Sequence, residues 1–284
     1  MAVTFLFGTG HETSVTPPTH AADDWLYLIV ECSSGTVTTP SGWAIAPGFP
    51  VTHNGGSTVL SVFRFLAVNG STSNPALAGG TNHMWGVICR VRGADLTEPQ
   101  DTAATSQGTG ASVAGYAPGC VTTVASTVIL AMIVWSLDNA GPISSAEANA
   151  SLTSVAEEYD AGTVTNDGGG IVCISGAKAT AGTVSATTCT LTSTSFCSGT
   201  IAFKPAIATP YTVADTVTID GVAAANGGLV EVWDTIDGVL AGTTTIAGGA
   251  GGFTLAVAYN DADRYRVVYD DGASYGASAK GTAT

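Results

Sequence analysis

The sequence predicts an all-β protein: an antiparallel β-sandwich or jelly roll, followed by a second and smaller β-sandwich. Three observations carry that prediction. Charged residues make up only 11% of the chain while 45% is hydrophobic, and 36 of the 284 residues are glycine among recurrent Ser/Thr tracts. β-Branched side chains suit a pleated surface and glycine supplies turn conformations, so this mixture favours short strands over helices. Apolar runs are brief and separated by Gly/Pro/Asn/Ser clusters, which is the spacing of an antiparallel sandwich. The wording also changes at Lys204-Pro-Ala-Ile-Ala-Thr-Pro-Tyr211, where Pro205 and Pro210 stiffen a short connection. This divides the chain into residues 1–205, a linker at 206–210, and residues 211–284.

Taken in order, the strand-like runs of the first part lie at residues 3–7, 25–32, 43–46, 58–66, 83–92, 120–137, 171–175, 183–191 and 199–204. The run Val121 to Leu137 is the most apolar, but Thr122, Thr123, Ser126, Thr127 and Ser136 interrupt it. It reads as a buried strand with flanks and is too polar to span a bilayer. From Ser144 to Tyr159 the Ala/Glu content and a Ser/Glu capping pattern permit one short helix, with a strand over Leu152–Tyr159 as the alternative. Residues 93–119 are rich in Gly, Ala, Thr, Ser and Gln without a sustained period. Such a stretch reads as a functional loop, or as an arm ordered against a neighbouring molecule.

The second part supplies strands around Thr216–Val222, Leu229–Asp234, Thr243–Thr245, Gly252–Leu255 and Arg264–Asp271. Tyr265, Val267 and Tyr269 alternate onto one face, which reads as core.

Charge excludes one function class. Eight basic residues against 22 acidic ones give a net charge of −14. Unaided binding to nucleic acid rests on Lys/Arg displacing counterions and is not expected. The acidity is spread over both parts of the chain and reads as a solvated surface that resists non-specific association. Residues 1–10 lack the basic start and long apolar core of an export signal, so synthesis in the cytoplasm without a signal peptide is expected.

Catalytic wording is sparse. Gly110-Ala-Ser-Val-Ala-Gly115 misses the Gly-x-Ser-x-Gly spacing of a nucleophile elbow by one residue. His11, His20, His53 and His83 are scattered with no metal-binding spacing, and each reads as a solvated or strand-edge residue. Glu157, Glu158 and Asp160 are dense, yet neighbouring glutamates on a strand point to opposite faces, so a glycosidase acid/base pair is the lesser reading. No catalytic residue is assigned, and a polysaccharide-degrading enzyme ranks below the binding readings. Asp234, Asp237, Asp261 and Asp263 fall in hairpin turns or strand ends, where carboxylates serve turn chemistry; a Ca2+ site is the alternative. Trp233, and Tyr275 within a Ser-Tyr-Gly turn, are the candidates for an exposed contact.

Six cysteines all lie before residue 205, with no Cys-x-x-Cys pair. Cys32, Cys89 and Cys173 sit inside apolar runs and read as buried thiols. Cys189 and Cys197 would meet as a disulfide only if the chain turned between them in an oxidising medium.

A resemblance adds to this reading. Thr39-Pro-Ser-Gly-Trp43, Ser57-Thr-Val-Leu-Ser-Val-Phe-Arg-Phe65, Val91-Arg-Gly-Ala-Asp95, Ala148 to Tyr159, Gly168-Gly-Gly-Ile-Val172 and Gly199-Thr-Ile-Ala-Phe-Lys-Pro205 follow one another in the order and wording of a family of β-sandwich virion proteins of tailed bacteriophages. Residues 211–284 resemble the carboxypeptidase-regulatory-like, immunoglobulin-type β-sandwich, with a departure at Ala247-Gly-Gly-Ala-Gly-Gly252 where an Asp is common. The resemblance implies a non-enzymatic structural protein on the virion surface, as capsid decoration or head fibre, partnered by other virion proteins and copies of itself, with no membrane insertion. The alternative it implies is a tail-tip or tail-fibre protein that binds a host-surface glycan.

Overall fold

The computed structural model describes residues 2–52, 58–136, 138 and 140–206, and beyond these the segments 211–216, 218–219, 222–223, 229–234, 239–247, 252–257, 265–270 and 275–280. The chain divides into two units, Met1–Ala206 and Ile207–Thr284.

In the first unit the strands are β1 (Thr4–Phe7), β2 (Trp25–Gly35), β3 (Ala44–Ile45), β4 (Val51–Thr52), β5 (Val59–Leu66), β6 (Gly80–Arg92), β7 (Thr105–Ala117), β8 (Cys120–Thr122), β9 (Thr127–Trp135), β10 (Ser145–Ala148), β11 (Thr153–Thr163), β12 (Gly169–Lys178), β13 (Gly182–Val184) and β14 (Thr187–Phe203). Two six-stranded antiparallel sheets result. One runs β1-β6-β2-β5-β3 with β4 on β5, the other β10-β14-β9-β12-β11 with β7 on β14. They pack face to face as a sandwich. Tyr27 and Ile29 of β2, Leu60 and Val62 of β5, and Val87 and Cys89 of β6 meet Leu130, Met132 and Val134 of β9, Ile171 and Cys173 of β12, and Cys197, Ile201 and Phe203 of β14.

The continuous apolar runs follow from burial on both faces of these strands. On β2, Leu26, Leu28, Val30 and Cys32 point away from the sandwich seam. They are covered by Val15, Val37, Trp43, Ala67 and Leu77 from the connections. On β9, Ala131, Ile133 and Trp135 likewise pack outward against Ile143, Cys189, Leu191 and Phe196. A strand wedged between two apolar layers has no place for alternating polar residues. The apolar run at 121–137 thus resolves into β8 and β9, and among the described residues no helix is long and apolar enough to cross a membrane.

Two expectations are corrected here. The Ser144–Tyr159 segment contains no helix; it forms β10 and β11, which bears out the strand alternative over its second half. β11 stands opposite β12 at eight register positions, and a tertiary partner of that length outweighs helix propensity. Residues 93–119 are not one long loop or arm either, because Thr105–Ala117 pairs along β14 within the same chain. Its Gly, Ala and Thr residues join the sheet through the backbone, which needs no side-chain period.

In the second unit the strands are β15 (Tyr211–Thr216), β16 (Thr218–Ile219), β17 (Val222–Ala223), β18 (Leu229–Asp234), β19 (Val239–Thr245), β20 (Gly252–Val257), β21 (Tyr265–Asp270) and β22 (Tyr275–Lys280). They form a four-stranded sheet β19-β18-β21-β22 and the pairs β15-β20 and β16-β17, all antiparallel. β18 alternates cleanly: Val230 and Val232 are buried, whereas Leu229 and Trp233 are exposed. The register sets Tyr269, Val267 and Tyr265 opposite Val230, Val232 and Asp234.

Candidate functional site

Strand parity builds the most unusual polar site in the first unit. Glu31 shares the side of β2 that carries Tyr27 and Ile29, and so faces the seam between the sheets. In the neighbouring strand Glu31 stands opposite Trp85, and His83 lies two residues further on the same face. The two side chains therefore meet diagonally, fully enclosed, with residue exposures of 0% for Glu31 and 6% for His83. His83 Nε2 lies 3.1 Å from Oε1 and 3.0 Å from Oε2, so the imidazole straddles the carboxylate. The opposite sheet closes over them with the glycine backbone of β12. A Cβ added at Gly169 would collide with Glu31 Oε2 and stand 2.5 Å from His83 Nε2.

The remaining ring nitrogen fixes the proton assignment. His83 Nδ1 is 3.1 Å from the carbonyl oxygen of Asn166, which can only accept, so Nδ1 carries the hydrogen. Asn166 belongs to a 3-10 turn at Thr165–Asp167 and adopts a left-handed conformation with φ 49°. Its side chain donates to the carbonyl of Asn82, itself left-handed at φ 66°. Asparagine tolerates that region better than most residues. Beside the turn, Glu12 accepts hydrogen bonds from the hydroxyls of Thr163 and Thr165, and these hold its carboxyl below the usual range. Burial has the opposite effect on Glu31. It pushes that carboxyl up to about 7 against the pull of His83.

His83 corrects the expectation that all four histidines are solvated or at strand edges. His11 is exposed, His20 is half-buried and bonds Thr72, and His53 lies outside the described residues. A signal for the buried pair was present in the sequence: a glutamate embedded in Tyr27-Leu-Ile-Val-Glu-Cys32 must find a partner if the run is buried.

The carboxylates of β11 serve local structure. Asp160 Oδ2 accepts the backbone amides of Ile143 (2.9 Å) and Ser144 (2.7 Å), and Ser175 donates to Glu158 at 2.5 Å. Burial raises Glu157 and Asp160 above their usual range, the nearby Glu147 adding to it, while the Ser144 contacts oppose it.

Cys189 and Cys197 do not form the disulfide. Both lie on β14, an uninterrupted strand, so eight residues of extended chain hold them roughly 27 Å apart. All six thiols are free and buried. Burial lifts Cys32 and Cys189 to about 12, Cys120 to about 11, and Cys89 and Cys173 well above the ordinary thiol range. Because the thiolate is the reactive form, a thiol reagent at neutral pH is expected to label none of the six in the native protein and all six after denaturation. Rapid native labelling of any one would contradict its burial.

In the second unit Trp233 stands on the exposed face of β18 at 36% exposure. Its indole Nε1 donates to Glu231 Oε2 at 3.1 Å, which orients the ring. The exposed Leu240 is its register partner on β19, and exposed Thr243 and Thr245 lie opposite Glu231 and Leu229. Tyr275 begins β22, opposite Asp270, instead of occupying a turn. Asp234 ends β18, and Asp237, Asp261 and Asp263 lie outside the described residues. Among the described residues no three His, Cys, Asp or Glu side chains converge in a way that could hold a metal ion.

No protein-family model matches the chain, and no curated protein matches it.

Proposed function

We propose that this chain is a non-enzymatic structural protein on the exterior of a tailed-bacteriophage particle, as capsid decoration or head fibre, with an immunoglobulin-type module as its second unit. The observation that carries this reading is enclosure. The acid–base pair Glu31–His83 lies under the β12 backbone and all six thiols are buried, so these groups serve the stability of the first unit. The resemblance of most of residues 20–205 to β-sandwich virion proteins supports the location. Other virion proteins and further copies of the chain are its partners. From residue 102 to residue 137 no side chain is charged. β7 falls within this stretch, so two copies can approach there without like-charge opposition, although each carries a net −14.

An antibody against residues 211–284 is expected to label particles over the head. Label confined to the tail would overturn this reading in favour of a second one, that the second unit binds a host-surface glycan from the tail. Trp233 is the observation favouring that alternative, since an exposed and oriented indole offers a flat face to a sugar ring. Under it, Trp233→Ala should abolish adsorption to host cells while leaving thermal stability unchanged.

A further inference from the structure

The Glu31–His83 pair does more than fill the seam, because of what lies at its two ends. Glu31 belongs to β2 of one sheet, and Asn166 belongs to the turn that joins β11 and β12 of the other. The imidazole of His83 is the link between them. Glu12, from the segment before β2, grips the same turn through Thr163 and Thr165.

Both ends of the imidazole face acceptors. A carbonyl oxygen meets Nδ1 and a carboxyl group meets Nε2. A neutral imidazole carries one hydrogen, so a second proton must sit between Nε2 and Glu31 for both contacts to be attractive. The arrangement is satisfied with that proton on either atom. Remove it, and one lone pair opposes another whichever tautomer the ring adopts. Either Nε2 then faces a bare carboxylate, or Nδ1 faces a bare carbonyl.

We infer that Glu31, His83 and Asn166 form a proton-dependent latch, which holds the Thr165–Asp167 turn against β6 and releases it when the pair loses its shared proton. The latch opens as pH rises. Acidification adds a proton to a site that already has a donor at each contact, and the neighbouring Glu12 carboxylate offsets the positive charge. The other ionisable groups around the latch act in the same sense. Asp138, whose Oδ1 lies against Gly168 at the end of the turn, and Glu12 both disfavour a further anion, while His11 is near enough to Glu12 to moderate it. Burial and the Glu31 charge push the Cys32 thiol on β2 up, and Cys197 on β14 donates to the Thr58 carbonyl at 3.1 Å. Burial, which lifts Glu31 to about 7, places the release near neutrality.

Amide hydrogen exchange across pH tests the latch in the full-length protein, after correction for the intrinsic base-catalysed rate. Protection at residues 164–169 should fall by about tenfold through the titration of the pair, the equivalent of one hydrogen bond lost, while β2 and β9 remain protected. Glu31→Gln is the decisive variant. Its amide donates to Nε2 without titrating, so protection of the turn should become independent of pH. A flat profile in the wild type, or the same fall in the Gln variant, would overturn the inference. The wild type alone also decides it, through the 15N shifts of the His83 ring: loss of the shared proton must occur in the same pH window as the loss of protection, and a separate window sinks the latch.

Discussion

Replacing His83 by alanine is expected to destabilise the first unit by about 3–5 kcal/mol at pH 5, where the pair shares its proton, and by clearly less at pH 8. At the lower pH the substitution leaves both the Glu31 carboxyl, at 0% exposure, and the Asn166 carbonyl without the imidazole that bonds them. At the higher pH the pair has already lost its shared proton, and what the substitution adds is chiefly a cavity. Glu31→Ala should be milder, about 1–3 kcal/mol, since histidine can stay neutral and only its Nε2 is left without a partner. Urea denaturation followed by tryptophan fluorescence at the two pH values measures the difference. Equal costs at pH 5 and pH 8 would contradict the enclosure of an ionisable carboxylate.

The wild type should show the same linkage. Glu31 has a folded value raised from 4.5 to about 7 by burial, so its contribution is fully present below the unfolded value and is lost as pH rises through the folded one. Asp24 works in the opposite direction. Burial raises it, but the Arg92 fork at 2.7 Å to each oxygen and the Ala21 amide prevail, so its stabilisation exists above the unfolded value and disappears as pH falls. Glu12, lowered by Thr163 and Thr165, behaves like Asp24. The first unit should consequently be most stable on the weakly acidic side of neutrality.

Phe203→Ala is the second change with a large expected effect, about 3–5 kcal/mol. The ring lies at the end of β14 and is fully buried. It meets Tyr27 of the opposite sheet edge-on, with centroids 4.9 Å apart, and Phe5 of β1 at 5.5 Å. Truncation removes one aromatic from both contacts and opens a cavity where the two sheets are joined. Phe203→Leu retains most of the volume and should cost about 1.5 kcal/mol or less. Differential scanning calorimetry should show the transition of the first unit shifting while that of the second stays in place. A shift of both would mean that the two units unfold as one.

The pattern of legibility in the sequence has physical causes. Strands whose two faces are both buried, such as Tyr27–Cys32 and Val128–Trp135, were visible because burial selects apolar residues without interruption. β7 was not, and β11 was visible only as the alternative to a helix. At Thr105–Ala117 the strand is defined by backbone pairing of small residues, and at Thr153–Thr163 the residues favour a helix until β12 is alongside. Reading Cys189 and Cys197 as a facing pair assumed a turn in what is one long strand. His83 was obscured for a different reason: its partner is distant in sequence, and only the register of β2 with β6 brings the pair onto one face. The exposure of Trp233, by contrast, follows from the alternation of Leu229–Asp234 that the sequence displays.

The length of β14 has a consequence for how the chain acquires its structure. Cys197 stands opposite Gly108 of β7 on one side and Val134 of β9 on the other, while Thr188 and Thr190 stand opposite Ala148 and Ser145 of β10. Three earlier strands therefore wait for the same late one. During synthesis from the amino terminus, the sheet of β2, β5 and β6 can assemble as soon as residue 92 has emerged, but in the second sheet β7 and β10 cannot be joined to β9 until residue 203 has followed. A nascent chain halted before Thr187 would expose the apolar faces of β9 and β12 together, and completion of this one strand is the event that commits the first unit to its native topology.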